Sequence, residues 1–320
     1  MYNLKKSTDS VPHISAFKRG WQLASEGFQD ESKSYQRKQQ WKSCWGVFSS
    51  PVLACNWFTT LKSPEFLIVS ENRKRLYIKP FRVYMSIRWN KEKKIKVILD
   101  TYKYLLTRSK SLSQILTKQD GIEIAHFNLN ESTEAKIIVG YDERYRKEGE
   151  LVFTFKSEQL GGMIAAASCS FEEIEPNKWI TRIACIQGHI KNDDNFSKAA
   201  QKMLNGLRPK CLIVFAIQEF TRQLGFQEIY GVGDAIQAYR KKHAIHLPWR
   251  HTIHFDYDSI WSEVGGLPDS DGWFKLPLQA VQKDMADIKT HKRALYRRRY
   301  AQLDEVSLKI KDSVTALLKE

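Results

Sequence analysis

Long apolar runs are missing from this sequence. None approaches the ~18 residues that a membrane-spanning helix requires. The longest, residues 211–217, is followed at once by Gln218, Glu219, Thr221 and Arg222. Lys5 and Lys6 stand near the N-terminus with no apolar stretch before Asp9, so no secretory leader is expected. Cysteine is sparse too. The five present (Cys44, Cys55, Cys169, Cys185 and Cys211) are an odd number and include no Cys-x-x-Cys pair. That argues against a disulfide-stapled scaffold and for reduced, mostly buried thiols in a cytosol. Internal repeats, low-complexity tracts and a His-Glu-x-x-His signature are likewise missing. The expected location is cytoplasmic, with peripheral attachment to the inner membrane.

Acids are scarce in two places. The 320 residues include 51 Lys or Arg against 36 Asp or Glu, a net charge of +15. Residues 73–110 hold thirteen basic side chains against Glu92 and Asp100, and residues 289–299 hold six against none. Charge so localised points to an anionic partner rather than to general solubility. The candidates are an anionic membrane surface, an envelope protein and, as the lesser alternative, nucleic acid. Read as an edge strand, a position to which Pro80 restricts it, the segment 73–84 puts Arg73, Arg75, Tyr77, Lys79 and Phe81 on one side. Arg73, Lys74, Arg75, Lys79 and Arg82 are then the expected contacts to an anionic surface. The same mixture of rings and cations suits single-stranded nucleic acid, and it also suits a solvated edge with its aromatics packed inward. In 289–299 the cations are spread around the helix, so some of them are expected to reach acids within the protein.

Hydrophobic residues make up 42% and aromatics 12%, enough for a sizeable core. Residues 14–28, 51–70 and 96–116 carry helical apolar spacing, interrupted by Pro51, Pro64 and Pro80. Five short alternating runs follow (121–128, 135–141, 149–156, 163–171 and 179–187), the pattern of an antiparallel meander. Pro209 opens a helix that runs to Leu224 and stops at Gly225, with Leu212, Ile213, Ala216, Ile217 and Phe220 on one apolar face. A strand over 228–232, a helix capped by Asp234 and reaching Lys242, a strand over 250–255 and a turn capped by Asp256 come next. A long helix starts near Thr290. The expected class is α+β. A mostly helical, basic lobe (1–118) precedes an α/β lobe (119–320), whose mostly antiparallel sheet continues into a β-α-β unit and is closed by a C-terminal helix.

Three phrases are unusual: Leu-Asn-Gly-Leu-Arg-Pro-Lys over 204–210, Asp-Tyr-Asp-Ser-Ile-Trp-Ser-Glu-Val-Gly-Gly over 256–266, and Lys-Arg-Ala-Leu-Tyr-Arg-Arg-Arg-Tyr over 292–300. With Glu-Gly-Glu-Leu from Glu148 and Ile-Gln-Gly-His from Ile186, they resemble the VirK/YbjX family of bacterial proteins. The resemblance runs from Arg73 onward and is densest in the last third. It implies an accessory role in the Gram-negative cell envelope, tied to outer-membrane integrity, resistance to antimicrobial peptides and virulence. It brings no catalytic residues.

One segment invites chemistry. A strand over 179–187, a connection containing Gly206 and a helix from Pro209 present free backbone N–H groups at a helix N-terminus, where Arg208 and Lys210 add charge. The arrangement resembles the cofactor half of the GNAT acyltransferase fold, although that family's Gly-rich loop pattern is missing and the connection is long. The resemblance implies an acyltransferase using an acyl-CoA or acyl-carrier-protein thioester, with Gly206, Arg208 and Lys210 holding the cofactor. On a structural reading Gly206 and Pro209 only shape a turn and Arg208 is paired. Four of the eight histidines fall within 243–254, near Asp256 and Asp258. Pro248 breaks their helical spacing, and His251 and His254 would point to opposite faces of a strand. No metal site is expected. Asp256 and Asp258 could serve a sugar nucleotide as a metal-binding pair, but a helix cap suits them better.

Overall fold

The computed structural model describes residues 13–188, 194–238 and 256–319. The chain divides into two compact units, Met1–Tyr84 with Trp89–Lys96, and Met85–Arg88 with Val97–Glu320.

In the first unit, α1 (His13–Gly27), α2 (Lys33–Phe48), α3 (Pro51–Leu61) and α4 (Pro64–Asn72) follow one another. Pro51 and Pro64 each occupy the first turn of a helix, where no N–H is needed. The single helix expected over 51–70 is therefore two. Helix α2 had no counterpart in the sequence pattern. The edge strand expected over 73–84 does not form; Lys74–Phe81 is a 3₁₀ helix. Its carbonyls are used locally, and the Trp57 indole N–H donates to the Tyr77 carbonyl at 2.9 Å. A strand would need a neighbouring ladder there, and among the described residues none pairs with this segment.

Helix α5 (Lys91–Arg108) begins in the first unit and continues into the second. The rest of the second unit comprises α6 (Lys110–Ser113), β1 (Ile122–Asn130), β2 (Thr133–Gly140), β3 (Leu151–Ser157), β4 (Gly162–Glu175), β5 (Lys178–Gly188), α7 (Asp194–Met203), α8 (Pro209–Gln223), β6 (Glu228–Val232), α9 (Tyr257–Glu263), β7 (Leu267–Pro268), β8 (Trp273–Leu276) and α10 (Thr290–Lys319). The strands form one sheet in the order β1-β2-β3-β4-β5-β6-β8-β7. Every neighbouring pair is antiparallel except β5 and β6. The meander read from five alternating runs is β1–β5. One edge of the sheet is blunted by the two-residue β7 with its Pro268, a common defence against edge pairing.

The core lies between this sheet and α8. Leu212, Ile217 and Phe220 are buried, and Phe220 meets Phe153 of β3 edge to face at 5.2 Å between ring centres. Helix α10 packs on α8 and β1 through Leu303, Val306, Ile310, Val314 and Leu317. Among the described residues its arginines find carbonyls, where acids were expected. Arg299 donates to the Asn205 carbonyl at 2.8 and 3.0 Å, and Arg293 to the Ile288 carbonyl at 2.9 Å. Residues 234–236 form a turn and not the start of a helix. The remainder of that expected helix, the strand over 250–255 and the histidines between His243 and His254 lie outside the described residues. Among the described residues no helix is long and apolar enough to cross a membrane.

Candidate functional site

Strand β5 stays paired with β4 to its last residue, Gly188 opposite Ala165. On its other edge, pairing with β6 covers only Ile180–Ile183 against Glu228–Gly231. Beyond Ile183 the two parallel strands part. Glycines explain why. The Trp261 ring lies flat on Gly231, so close that a Cβ there would sit 2.4 Å from it, and the indole N–H donates to the Val232 carbonyl at 2.7 Å. Gly233 then turns toward Gly272, to whose carbonyl it donates at 3.1 Å. β6 is thus drawn away from β5, and residues 184–188 have an edge without a strand partner among the described residues.

Helix α9 brings Tyr257 into this fork. Asp256 caps the helix by accepting from the Ser259 N–H at 2.8 Å. Asp234 accepts from the Tyr257 N–H at 3.1 Å, while Asp258 accepts from the Asp234 N–H at 2.8 Å. Asp256 and Asp258 therefore serve the backbone. The tyrosine between them reaches the Cys185 thiol and the Ile186 backbone, and burial, with Cys185 and Glu148 beside it, drives its pKa far up. Its phenol stays protonated.

Glu148 completes the cluster. The Glu-Gly-Glu phrase sits just before β3, and Gly149 permits it: a Cβ there would lie 2.6 Å from the Cys169 carbonyl of β4. Glu148 is 2% exposed. Its Oε1 accepts from the Gln237 amide at 3.3 Å, and its Oε2 has no hydrogen-bond partner among the described residues. Burial raises its pKa from 4.5 to about 7, only partly offset by Cys185, Lys147 and Gln237. Gln237 is itself fixed through a β-bridge to Ser86, and the Met85 N–H donates to the Lys147 carbonyl at 2.8 Å. Cys185 is fully buried and its thiol pKa lies well above the usual range, from burial first and then from Glu148. It is no thiolate nucleophile. The result is a protonated phenol and a carboxyl poised near neutrality beside a strand edge with no strand partner among the described residues. Acid–base chemistry at neutral pH calls for such a pair.

The three residues expected to hold a cofactor lie at the start of α8. Gly206 takes a left-handed conformation (φ 81°) under Arg299. Arg208 is the N-cap residue of α8 and ion-pairs with Glu263 at the end of α9, its Nε donating at 3.0 Å. Lys210 lies against Gly188, the tip of β5, and its pKa is lowered by burial and then by Arg208. Only Lys210 of the three reaches toward the fork. Among the five residues expected to meet an anionic surface, Arg73 and Lys79 are buried. Arg75 donates to the Gly27 carbonyl at 2.7 Å and pairs with Asp30 and Glu31. Arg82 donates to the Gln39 carbonyl at 2.8 Å, and Lys74 alone is exposed.

Sequence reasoning did not single out Glu148 or Tyr257 as candidate site residues. Both stood in view, inside the Glu-Gly-Glu-Leu and Asp-Tyr-Asp phrases. Among the described residues no three His, Cys, Asp or Glu side chains come together as a metal site would require.

Known proteins can now be set beside this geometry. A family model described as "Protein of unknown function (DUF535)" matches residues 32–312. The chain is 26% identical to the YbjX protein of Escherichia coli (strain K12), over 80% of its own length and 77% of that protein. Two Haemophilus influenzae (strain Rd) proteins are 32% and 35% identical, over 41% and 44% of this chain and 43% and 46% of theirs. No solved structure matches.

Proposed function

We propose, from the premise that this chain belongs to the DUF535 family, which includes YbjX, that it transfers an acyl group from a thioester donor to an amine or hydroxyl at the fork between β5 and β6. One observation carries the reading: among the described residues Glu148, with one oxygen unpartnered and a pKa near 7, lies beside a stretch of β5 that has no strand neighbour. The order β5, α8, parallel β6 agrees with the GNAT likeness, while the missing Gly-rich loop speaks for a donor held differently. Acyl-CoA and acyl-carrier protein share a phosphate and an arm with two amides. The edge over 184–188, which has no strand partner among the described residues, suits the amides, as a strand edge suits any extended chain. The α8 N-terminus and Lys210 suit the phosphate.

The chemistry balances without a covalent enzyme intermediate. The acceptor's proton passes to Glu148 as its nitrogen or oxygen attacks the thioester carbonyl carbon. The C–S bond breaks, and the sulfur leaves and takes up a proton to become the free thiol. Tyr257 supplies a hydroxyl in the fork to donate it, and the proton collected by Glu148 restores the phenol, so both groups end as they began.

The test is calorimetric titration and thermal melting with acyl-CoAs of several chain lengths and with acyl-carrier protein. At least one should bind and raise the melting temperature. Lys210→Ala should weaken that binding by roughly ten- to a hundredfold, the worth of a hydrogen bond to a charged group. Arg208→Ala should change stability by less than ~1 kcal/mol, because its ion pair is half exposed. Silence with every thioester removes the acyltransferase reading.

We also propose that the chain works as an accessory factor at the cytoplasmic side of the cell envelope, bound peripherally to an anionic membrane. The family resemblance supports the envelope setting, together with the links to antimicrobial-peptide resistance and virulence. One structural observation favours the membrane: α2 exposes Lys33, Arg37, Lys38 and Lys42 and contains no acid.

A further inference from the structure

Helix α2 is built inside out. Its buried residues include Gln39, Gln40, Ser43 and Gly46, whereas Trp41, Trp45 and Phe48 are 63%, 76% and 47% exposed. Gly46 accounts for part of this. The 3₁₀ segment passes so close that a Cβ at that position would lie 2.7 Å from the Phe81 side chain, so the helix must present its small and polar side inward. The large rings are left outside.

They are left there in order. At about 100° per residue, Trp41, Trp45 and Phe48 fall within a narrow arc, and Lys38 and Lys42 lie along its border. Trp41 is braced edge-on against Trp21, with ring centres 5.4 Å apart, so its indole is held out on a platform rather than swinging free. The cations crowd one another: Lys42 has its pKa lowered by burial and then by Lys38 and Arg82, with no acid among the causes. Exposed apolar patches of this kind mark a contact surface. Indole rings rimmed by lysine match one surface in particular, where an apolar layer lies under anionic headgroups.

We infer that the Trp41–Trp45–Phe48 face of α2, bordered by Lys38 and Lys42, is where the protein docks on an anionic bilayer. The rings enter the headgroup boundary, and the lysines pair with lipid charge above it. The inference rests on the membrane-bound reading proposed above and adds the surface that carries it.

The experiment is co-sedimentation of the full chain with phosphatidylcholine vesicles and with vesicles containing 30% phosphatidylglycerol, run alongside analytical ultracentrifugation. The wild type should bind the anionic vesicles only. Trp45→Ala with Phe48→Ser should weaken that binding at least tenfold at an unchanged melting temperature, and those two side chains are chosen because Trp41 is braced within the unit. Lys38→Gln should cost about fivefold, close to the ~1 kcal/mol per basic residue at such a surface. An aromatic pair that can be replaced without loss of binding overturns the inference and leaves the membrane reading standing. A wild type that binds neither vesicle overturns both. Equal binding to neutral and anionic vesicles overturns the role of the lysines. A dimer that dissociates when the rings are replaced assigns the face to a second copy of the chain instead.

Discussion

Glu148→Gln should make the protein more stable at pH 8 by about 3 kcal/mol, because burial lifts the carboxyl from 4.5 to about 7 and each tenfold in proton affinity is worth ~1.4 kcal/mol. The sign follows from the raised pKa. Below about 4.5 the carboxyl holds its proton whether the chain is folded or not, and Glu148 costs nothing. As pH rises, the unfolded chain ionises first, so the folded state loses ground until pH passes about 7. At pH 4.5 the variant should gain less than ~0.5 kcal/mol. Urea unfolding of both proteins at the two pH values isolates the effect, because other titrating groups cancel in the difference. An equal gain at both would show that folding does not raise the pKa of Glu148. If the fork carries out the proposed acyl transfer, the same variant should lose it by ~100-fold or more, the usual weight of a general base. A buried acid that weakens its own fold, with a gain in stability on removal and a loss of activity, is the signature of a group kept for chemistry.

Phe220→Ala should cost ~3–5 kcal/mol, the range for a large aromatic removed from a packed interior. The ring is fully buried on α8 against Phe153, with Leu212 and Ile217 on the same face. Its loss opens a cavity between helix and sheet that the neighbouring strands cannot close. The midpoint of urea unfolding should fall with little change in slope. A loss below ~1 kcal/mol, the scale of surface substitutions, would mean that this face of α8 is not the core.

Helix α8 was legible because its signals agreed: Pro209 at the start, Gly225 at the end and one apolar face between. Strands β1–β5 were legible because their apolar residues alternate. Helix α2 was not, since the residues that should mark its buried face, Trp41 and Trp45, are outside while Gln39 and Gln40 are inside. In 73–84, Leu76, Ile78 and Phe81 fit a period of two about as well as a period of three, and Pro80 did not decide between them. The site failed to show for a different reason. Glu148 owes its raised pKa to burial, which only the folded chain supplies, and even its hydrogen-bond partner Gln237 lies 89 positions away. Tyr257 was overlooked because the aspartates on either side drew attention to themselves, and their work proved to be holding backbone.

The grip of α10 on the turn before α8 also governs when the protein can finish folding. Arg299 meets Asn205 across 94 positions, and Ser109 meets the Leu317 carbonyl across 208. Contacts of such span close large loops and slow the search for the native state. During synthesis, at roughly 5–20 residues per second, β1 through β6 leave the ribosome several seconds before the last turns of α10. Through that interval the Asn205 turn lacks its arginines, and β1 lacks the helix that packs on it. A chaperone or a premature partner strand would find the nascent chain most receptive in those seconds, and the arrival of α10 ends them.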